Sequence, residues 1–320
     1  MAEEEAFDEL FEAMWFGDSD MNSLEANAAR SRAASIAEKG IRPFPSSVAR
    51  VAQVVREGGN AHRVEQVLAT DPAIAARVVQ LANGAAFGGN AIDDLKQAIV
   101  RLGAGTIYEL VVEVALQAAY SDLGGAGHEV IEHSADTARC VQMVSLVHPS
   151  PHRFLYLAAL LHDVGKLLLL QSGEHQGDFH HGDEAAASER ARLGFDHGLL
   201  GSYAARTWGL SDPIPQVLGH HHELGRAFAV GGPIADGVAA LRVAQDVLHL
   251  AASGEEPERE AIVHVASGSA WGWLRLTTGD AIDLIDLWQQ RREVTSQVDW
   301  KQRIREARGR HKRRKVSFVA

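Results

Sequence analysis

Twelve of the chain's 16 histidines fall between His128 and His222. Imidazoles gathered this way, with aspartates beside them, are what a protein needs to hold a transition metal or to move protons near neutral pH. His162 and Asp163 are adjacent within LYLAALLHDVGKLLLL (155–170), the longest aliphatic stretch of the chain. His133 lies inside another helical pattern, and His197 opens a further one beside Asp196. His220, His221 and His222 end a fourth, and Asp246 sits within LRVAQDVLHL. One charged group on an apolar helical face reads as a buried side chain with a hydrogen-bond partner, because an uncompensated buried carboxylate is costly. The same arrangement on four or five helices reads as one shared metal site. Imidazole and carboxylate donors suit iron, manganese, nickel or zinc. Two such ions about 3.5–4 Å apart, bridged by a carboxylate, would clamp a phosphate ester.

The elements that must place these groups are helices, so the fold class is all-α. Strand patterns are weak throughout, and alanine, leucine and valine dominate. IRPFPSS (41–47) is a proline-punctuated entry with Ser46 or Ser47 available as a cap, followed by Val48, Val51, Ala52, Val54 and Val55 at helical spacing. Gly58-Gly59-Asn60 ends that helix, and a short one follows with Val64, Val67 and Leu68 inward. Thr70 or Asp71 can cap the next, with Pro72 in its first turn and Ile74, Val78 and Leu81 as its stripe. A glycine-rich loop (84–90) precedes a helix over 93–102, and a long helix runs over 106–122. The glycines at 124–127 mark the expected boundary between a 41–125 subdomain and a metal-site subdomain over 126–300. Helices are expected there over 129–147, 153–171, 184–193, 197–208, 213–222, 235–252 and 279–295. Residues 1–40 read as an acidic leader with some helix, and 301–320 as a basic tail.

The single cysteine, Cys140, excludes an intrachain disulfide, reads as a small buried thiol and fits a reducing compartment. MAEEEAFDELFEAM is acidic where a secretory signal needs positive charge. The stretch 155–170 carries His, Asp and Lys at its middle, so it is a buried soluble helix with no transmembrane role, and a cytoplasmic location is expected. A net charge of −11 argues against a general nucleic-acid surface; only KQRIREARGRHKRRK (301–315) hints at one, and such a run reads first as a solvated tail. Ile282, Ile285 and Trp288 would pack on the body or, in a homodimer, form its seam. Trp208 is expected to fill the core behind the His197 helix, and Trp271 and Trp273 to pack a loop. QSGEHQGDFHHGDE (171–184) reads as a solvated loop or as a lid over the site.

ALLHDVGK (159–166) resembles the signature of the HD superfamily of metal-dependent phosphohydrolases. In that pattern a His comes first, a His-Asp doublet second and an Asp last, which implies His133, then His162 and Asp163, then Asp246 as metal ligands. Lys166 stands where related phosphodiesterases place a phosphate-contacting lysine, so Asp163 and Lys166 are the implied catalytic pair. RPFPSSVARVAQVV, TDPAIAARVVQLANGAAFG and LKQAIVRLG, followed by GFDHGLLGSYAARTWGLSDPIPQVLGHHH, resemble the HDOD (HD-related output domain) family over roughly residues 41–250. That family implies a signalling module acting on a partner protein or a nucleotide second messenger. Its members often lose metal ligands; this chain keeps them. His197, His221 and His222 match extra ligands of the HD-GYP phosphodiesterases, with Glu129 a further candidate and His220 an alternative to His221. The stretch after HHE is LGRAFAV, without the GYP motif, which argues against cyclic di-GMP hydrolysis.

Overall fold

Short polar caps and apolar stripes decide where the helices start and which faces they bury. Asp71 accepts the Ile74 amide at 3.3 Å, Asn60 that of Arg63 at 3.1 Å and Asp94 that of Lys96 at 3.1 Å. Each satisfies a donor that the helix leaves unpaired. The computed structural model describes residues 23–43, 46–83, 92, 94–148, 152, 154–174, 182–210, 212–252 and 257–293. All regular structure among them is helical. The acidic run before residue 23, the loop over 84–90, the histidines at 175, 180 and 181, and the basic tail lie outside the described residues.

Six helices form the first part: α1 (Ser23–Gly40), α2 (Ser46–Arg56), α3 (Ala61–Leu68), α4 (Pro72–Ala82), α5 (Leu95–Leu102) and α6 (Ala104–Ala119). Half of the expected leader is therefore structural. Ala26, Ala29, Ala33, Ile36 and Ala37 of α1 are buried, and α1 packs on the central helix α9 described below. Ser47 lies within α2 and gives its hydroxyl to Asp71 at 3.1 Å. Asn83, just past α4, pairs with both backbone groups of Ile92, at 2.5 and 2.7 Å.

The second part comprises α7 (Gly124–Val147), α8 (Leu155–Leu161), α9 (Val164–Ser172), α10 (Asp183–Leu193), α11 (His197–Thr207), α12 (Ile214–His220), α13 (Leu224–Val230), α14 (Gly232–Leu250), α15 (Arg259–Ala266), α16 (Ser269–Trp273) and α17 (Thr278–Glu293). The glycines at 124–127 begin α7 rather than forming a linker; only Gly124, at φ +64°, uses glycine's freedom to turn the chain there. Every residue of α8 is buried, as is α9 from Val164 through Leu169. Around this pair pack α7, α11, α12 and α14. Residues 155–172 are apolar enough to pass as a membrane span, yet 83% of that window is core.

Trp208 packs against the core at the end of α11, as expected, without being fully enclosed. It is half-buried, and its indole N–H reaches the Arg42 carbonyl at 2.8 Å, tying the entry segment to the end of α11. On α17, Ile285 and Trp288 pack inward with Leu284 and Ala281, whereas Ile282 is 39% exposed. This is the body-packing alternative of that stripe.

Close approach of α9, α11 and α12 depends on glycine. A Cβ on Gly165 would lie 1.9 Å from the His197 carbonyl oxygen, and one on Gly198 would lie 2.9 Å from that of Leu218. The backbones carrying Asp163, His197 and His221 can meet only because those atoms are missing. Gly165→Ala should therefore cost about 3 kcal/mol through forced separation of α9 and α11. Gly201→Ala, whose Cβ would sit in ordinary contact 3.4 Å from Val164, should be close to neutral; denaturant melts of the two variants check the contrast.

Candidate metal centre

The apolar periodicity predicts one continuous helix over 153–171. The chain instead breaks it at His162-Asp163, with α8 ending at Leu161 and α9 beginning at Val164. Neighbours on an unbroken helix point about 100° apart. The break, with Asp163 at φ −99° and ψ 8°, lets both side chains face one point. The same device serves His221 and His222, which follow α12 in a turn. His197 is the first residue of α11, whose cap is Asp196, itself held by Arg190 at 2.6 and 2.8 Å.

Asp163 sits at the centre, 1% exposed. Its Oδ1 lies 3.2 Å from His197 Nε2 and 3.9 Å from His221 Nε2. Its Oδ2 lies 3.4 Å from His162 Nε2, 3.8 Å from His133 Nε2 and 2.8 Å from Lys166 Nζ. The donors form two groups about this carboxylate: His197, His221 and His222 on one side, and His133, His162 and Asp163 itself on the other.

Four of the imidazoles are oriented from behind. His162 gives its Nδ1 proton to the Ala159 carbonyl at 2.7 Å, and His221 gives its own to that of Leu218 at 2.6 Å. His222 gives Nδ1–H to Asp183 at 2.9 Å, and His197 gives its to Glu189 at 2.7 Å. Each bond fixes the tautomer and leaves Nε2 facing the cluster, the arrangement that metal-ligating histidines need. His197 Nε2 then lies 3.0 Å from His222 Nε2 and 3.3 Å from His221 Nε2. Imidazole lone pairs that face one another at such distances require a cation between them.

The electrostatics agree. Burial works against charge on Asp163, but His162 and Lys166 outweigh it and hold the carboxyl well below its usual range. Burial, followed by the neighbouring imidazoles, pushes His221 and His222 well below the usual histidine value, which keeps them neutral and able to ligate. His197 differs. Burial opposes its charge, yet Glu189 lifts it to about 9. In the absence of a metal, a proton on His197 can serve as the required cation. A divalent ion would displace it, and the donor set fits a first-row transition metal.

Six of the expected ligands thus meet: His133, His162, Asp163, His197, His221 and His222. Glu129 is exposed on α7 and belongs to neither group, and neither does His220, which burial and then the Arg226 charge hold below the usual histidine value. Asp246 also stands apart from both groups. It accepts the indole N–H of the fully buried Trp271 at 2.9 Å, while the residue before it, Gln245, reaches His162 Nε2 at 3.2 Å. Trp273 stacks on Phe228 with centroids 4.6 Å apart. Three functional residues carried no sequence signal: Glu189 and Asp183 on the polar helix α10, and Gln245.

His197 gives the metal-free protein a pH dependence of known sign. Its folded value of about 9 lies above that of an unfolded histidine, about 6.5. The stabilisation is full below about pH 6.5 and is lost as pH rises through 9. Chelator-treated protein should lose on the order of 2–3 kcal/mol across that window, and Glu189→Gln should remove most of the slope in urea melts run at a series of pH values.

With this geometry in view, the comparisons are direct. The HDOD domain family matches residues 41–224, more than half of the chain. A search among curated proteins finds no match. An HDOD domain protein of unknown function from Geobacter sulfurreducens superposes at a TM-score of 0.64 with 20% identity, covering 83% of this chain and 96% of that one. A provisionally assigned phosphohydrolase from Shewanella amazonensis gives 0.60 with 21% identity, over 80% and 94% of the two chains. A provisionally assigned signal transduction protein from Marinobacter aquaeolei gives 0.58 with 18% identity, over 84% and 64%. At these identities the likeness establishes the fold. With its helical architecture and the family match together, the chain belongs to the HDOD family.

Proposed function

We propose that this protein is a signalling or regulatory HDOD module that retains an HD-type centre for a divalent first-row transition metal. The observation that carries the reading is the set of four Nδ1 hydrogen bonds that turn the Nε2 atoms of His162, His197 and His221 toward one buried carboxylate and that of His222 toward His197. An ion on the His197–His221–His222 side would join the α8–α9 turn, α11 and the turn after α12, and one on the other side would join α7 to the α8–α9 turn. Its presence would then bear on the placement of those helices, and so on any partner protein or nucleotide messenger that reads their outer faces.

Lys166 supports regulation over turnover. It is 2% exposed and paired with Asp163, which suits a side chain that holds the carboxylate in place. One observation favours the hydrolase alternative: a single carboxylate, Asp163, lies between two donor groups, as two-ion phosphoesterases require. In that reading, Asp163 would be shared between the ions, which would supply a hydroxide for attack on a nucleotide phosphate ester.

Protein purified without chelator should contain a first-row metal by elemental analysis, and His197→Ala and His221→Ala should lose it while keeping their helical circular dichroism. Assays on bis(p-nitrophenyl) phosphate and on cyclic dinucleotides should show no turnover that depends on Asp163. Turnover abolished by Asp163→Ala would replace the regulatory reading with the hydrolase one. Metal-free protein that takes up no added ion would end both.

A further inference from the structure

The two sides of Asp163 are not equivalent. On the first, His197, His221 and His222 present three Nε2 atoms to one another, with His197 Nε2 3.0 and 3.3 Å from its two partners. No lysine, arginine or amide side chain is bonded to any of those three atoms among the described contacts. On the second, both key donors are engaged. Asp163 Oδ2 accepts from the ammonium of Lys166 at 2.8 Å, inside the core. The Nε2 of His162 meets the side-chain nitrogen of Gln245 at 3.2 Å. With Nδ1 of His162 bonded to the Ala159 carbonyl, the other ring nitrogen is the one that Gln245 occupies.

We propose that the centre takes one tightly held ion, on the His197–His221–His222 side with Asp163 Oδ1, and that Gln245 and Lys166 close the His133–His162–Asp163 side to a second. This inference rests on the metal-centre reading above and narrows the sequence expectation of two ions. A second dication would have to displace the Gln245 amide from His162 and share Oδ2 with a buried ammonium, and like charges so close in a core repel strongly. Neither acid of α14 is bonded there: Asp246, one position on, turns to Trp271, and Asp236 pairs with His152 and Trp273. A carboxylate at position 245 would change both conditions, because it accepts where the amide donates and adds a negative charge.

The test is a titration of the full chain, stripped with chelator, with cobalt(II) or zinc(II) chloride, read by elemental analysis after desalting and by the cobalt absorption bands. Wild type should hold one equivalent. His222→Ala should lose it, and His133→Ala should keep it. Gln245→Glu should hold two equivalents, with the second ion bound at least tenfold more tightly than in wild type; Gln245→Asp serves as a second version if the glutamate fails to fold. Two tight equivalents in wild type would overturn this proposal and leave the metal centre intact, as would a single equivalent lost in His133→Ala but kept in His222→Ala. Folded glutamate and aspartate variants that both stop at one equivalent would remove Gln245 from the account. Zero equivalents in wild type would instead sink the metal-centre reading on which the proposal stands.

Discussion

A carboxylate at the middle of a helical core has to be neutralised from within, and the arrangement of the second half of this protein follows from how Asp163 is neutralised. Lys166 reaches it from the first turn of α9. His162 approaches from the adjacent position, His133 from α7 and His197 from the start of α11. Helices that supply these groups must come closer than ordinary side chains allow, so glycines stand where α9, α11 and α12 touch. The interruption of the central helix has the same origin, since a continuous helix could not aim two successive side chains at one point.

A ring of carbonyls and carboxylates behind the imidazoles completes the arrangement. Asp183 and Glu189 come from α10, a surface helix with few buried residues, and Asp183 also pairs with Arg242 of α14. The orientation of the buried histidines is thus controlled from near the surface. A change in the seating of α10 would reach His197 and His222 directly, without first disturbing the apolar core.

Much of this was legible in the residues. A cap at Thr70 or Asp71, the apolar stripes and the histidine spacing led to an all-helical fold and to six residues that do meet. What stayed hidden depends on rotation and on long-range contact. Periodicity runs unbroken through 155–170, and nothing in the types of His162 and Asp163 says that the helix stops there. Asp246 has the chemistry of a ligand, but one residue of helical register, about 100°, gives the inward position to Gln245. Glu189 and Asp183 lie in a run of polar residues where any acid looks solvated, and their partners are 8 and 39 positions away.

The pairing of Asp163 with Lys166 also bears on how such a chain can change over evolutionary time. The two opposite charges are three residues apart and balance each other inside the core. The architecture therefore carries its own counter-ion for Asp163, and the histidines other than His197, which partners the buried Glu189, can be replaced singly while that carboxylate stays paired. A lineage built on this helix pair could exchange its donors one by one, passing from a metal protein to a plain scaffold while Asp163 keeps its lysine partner.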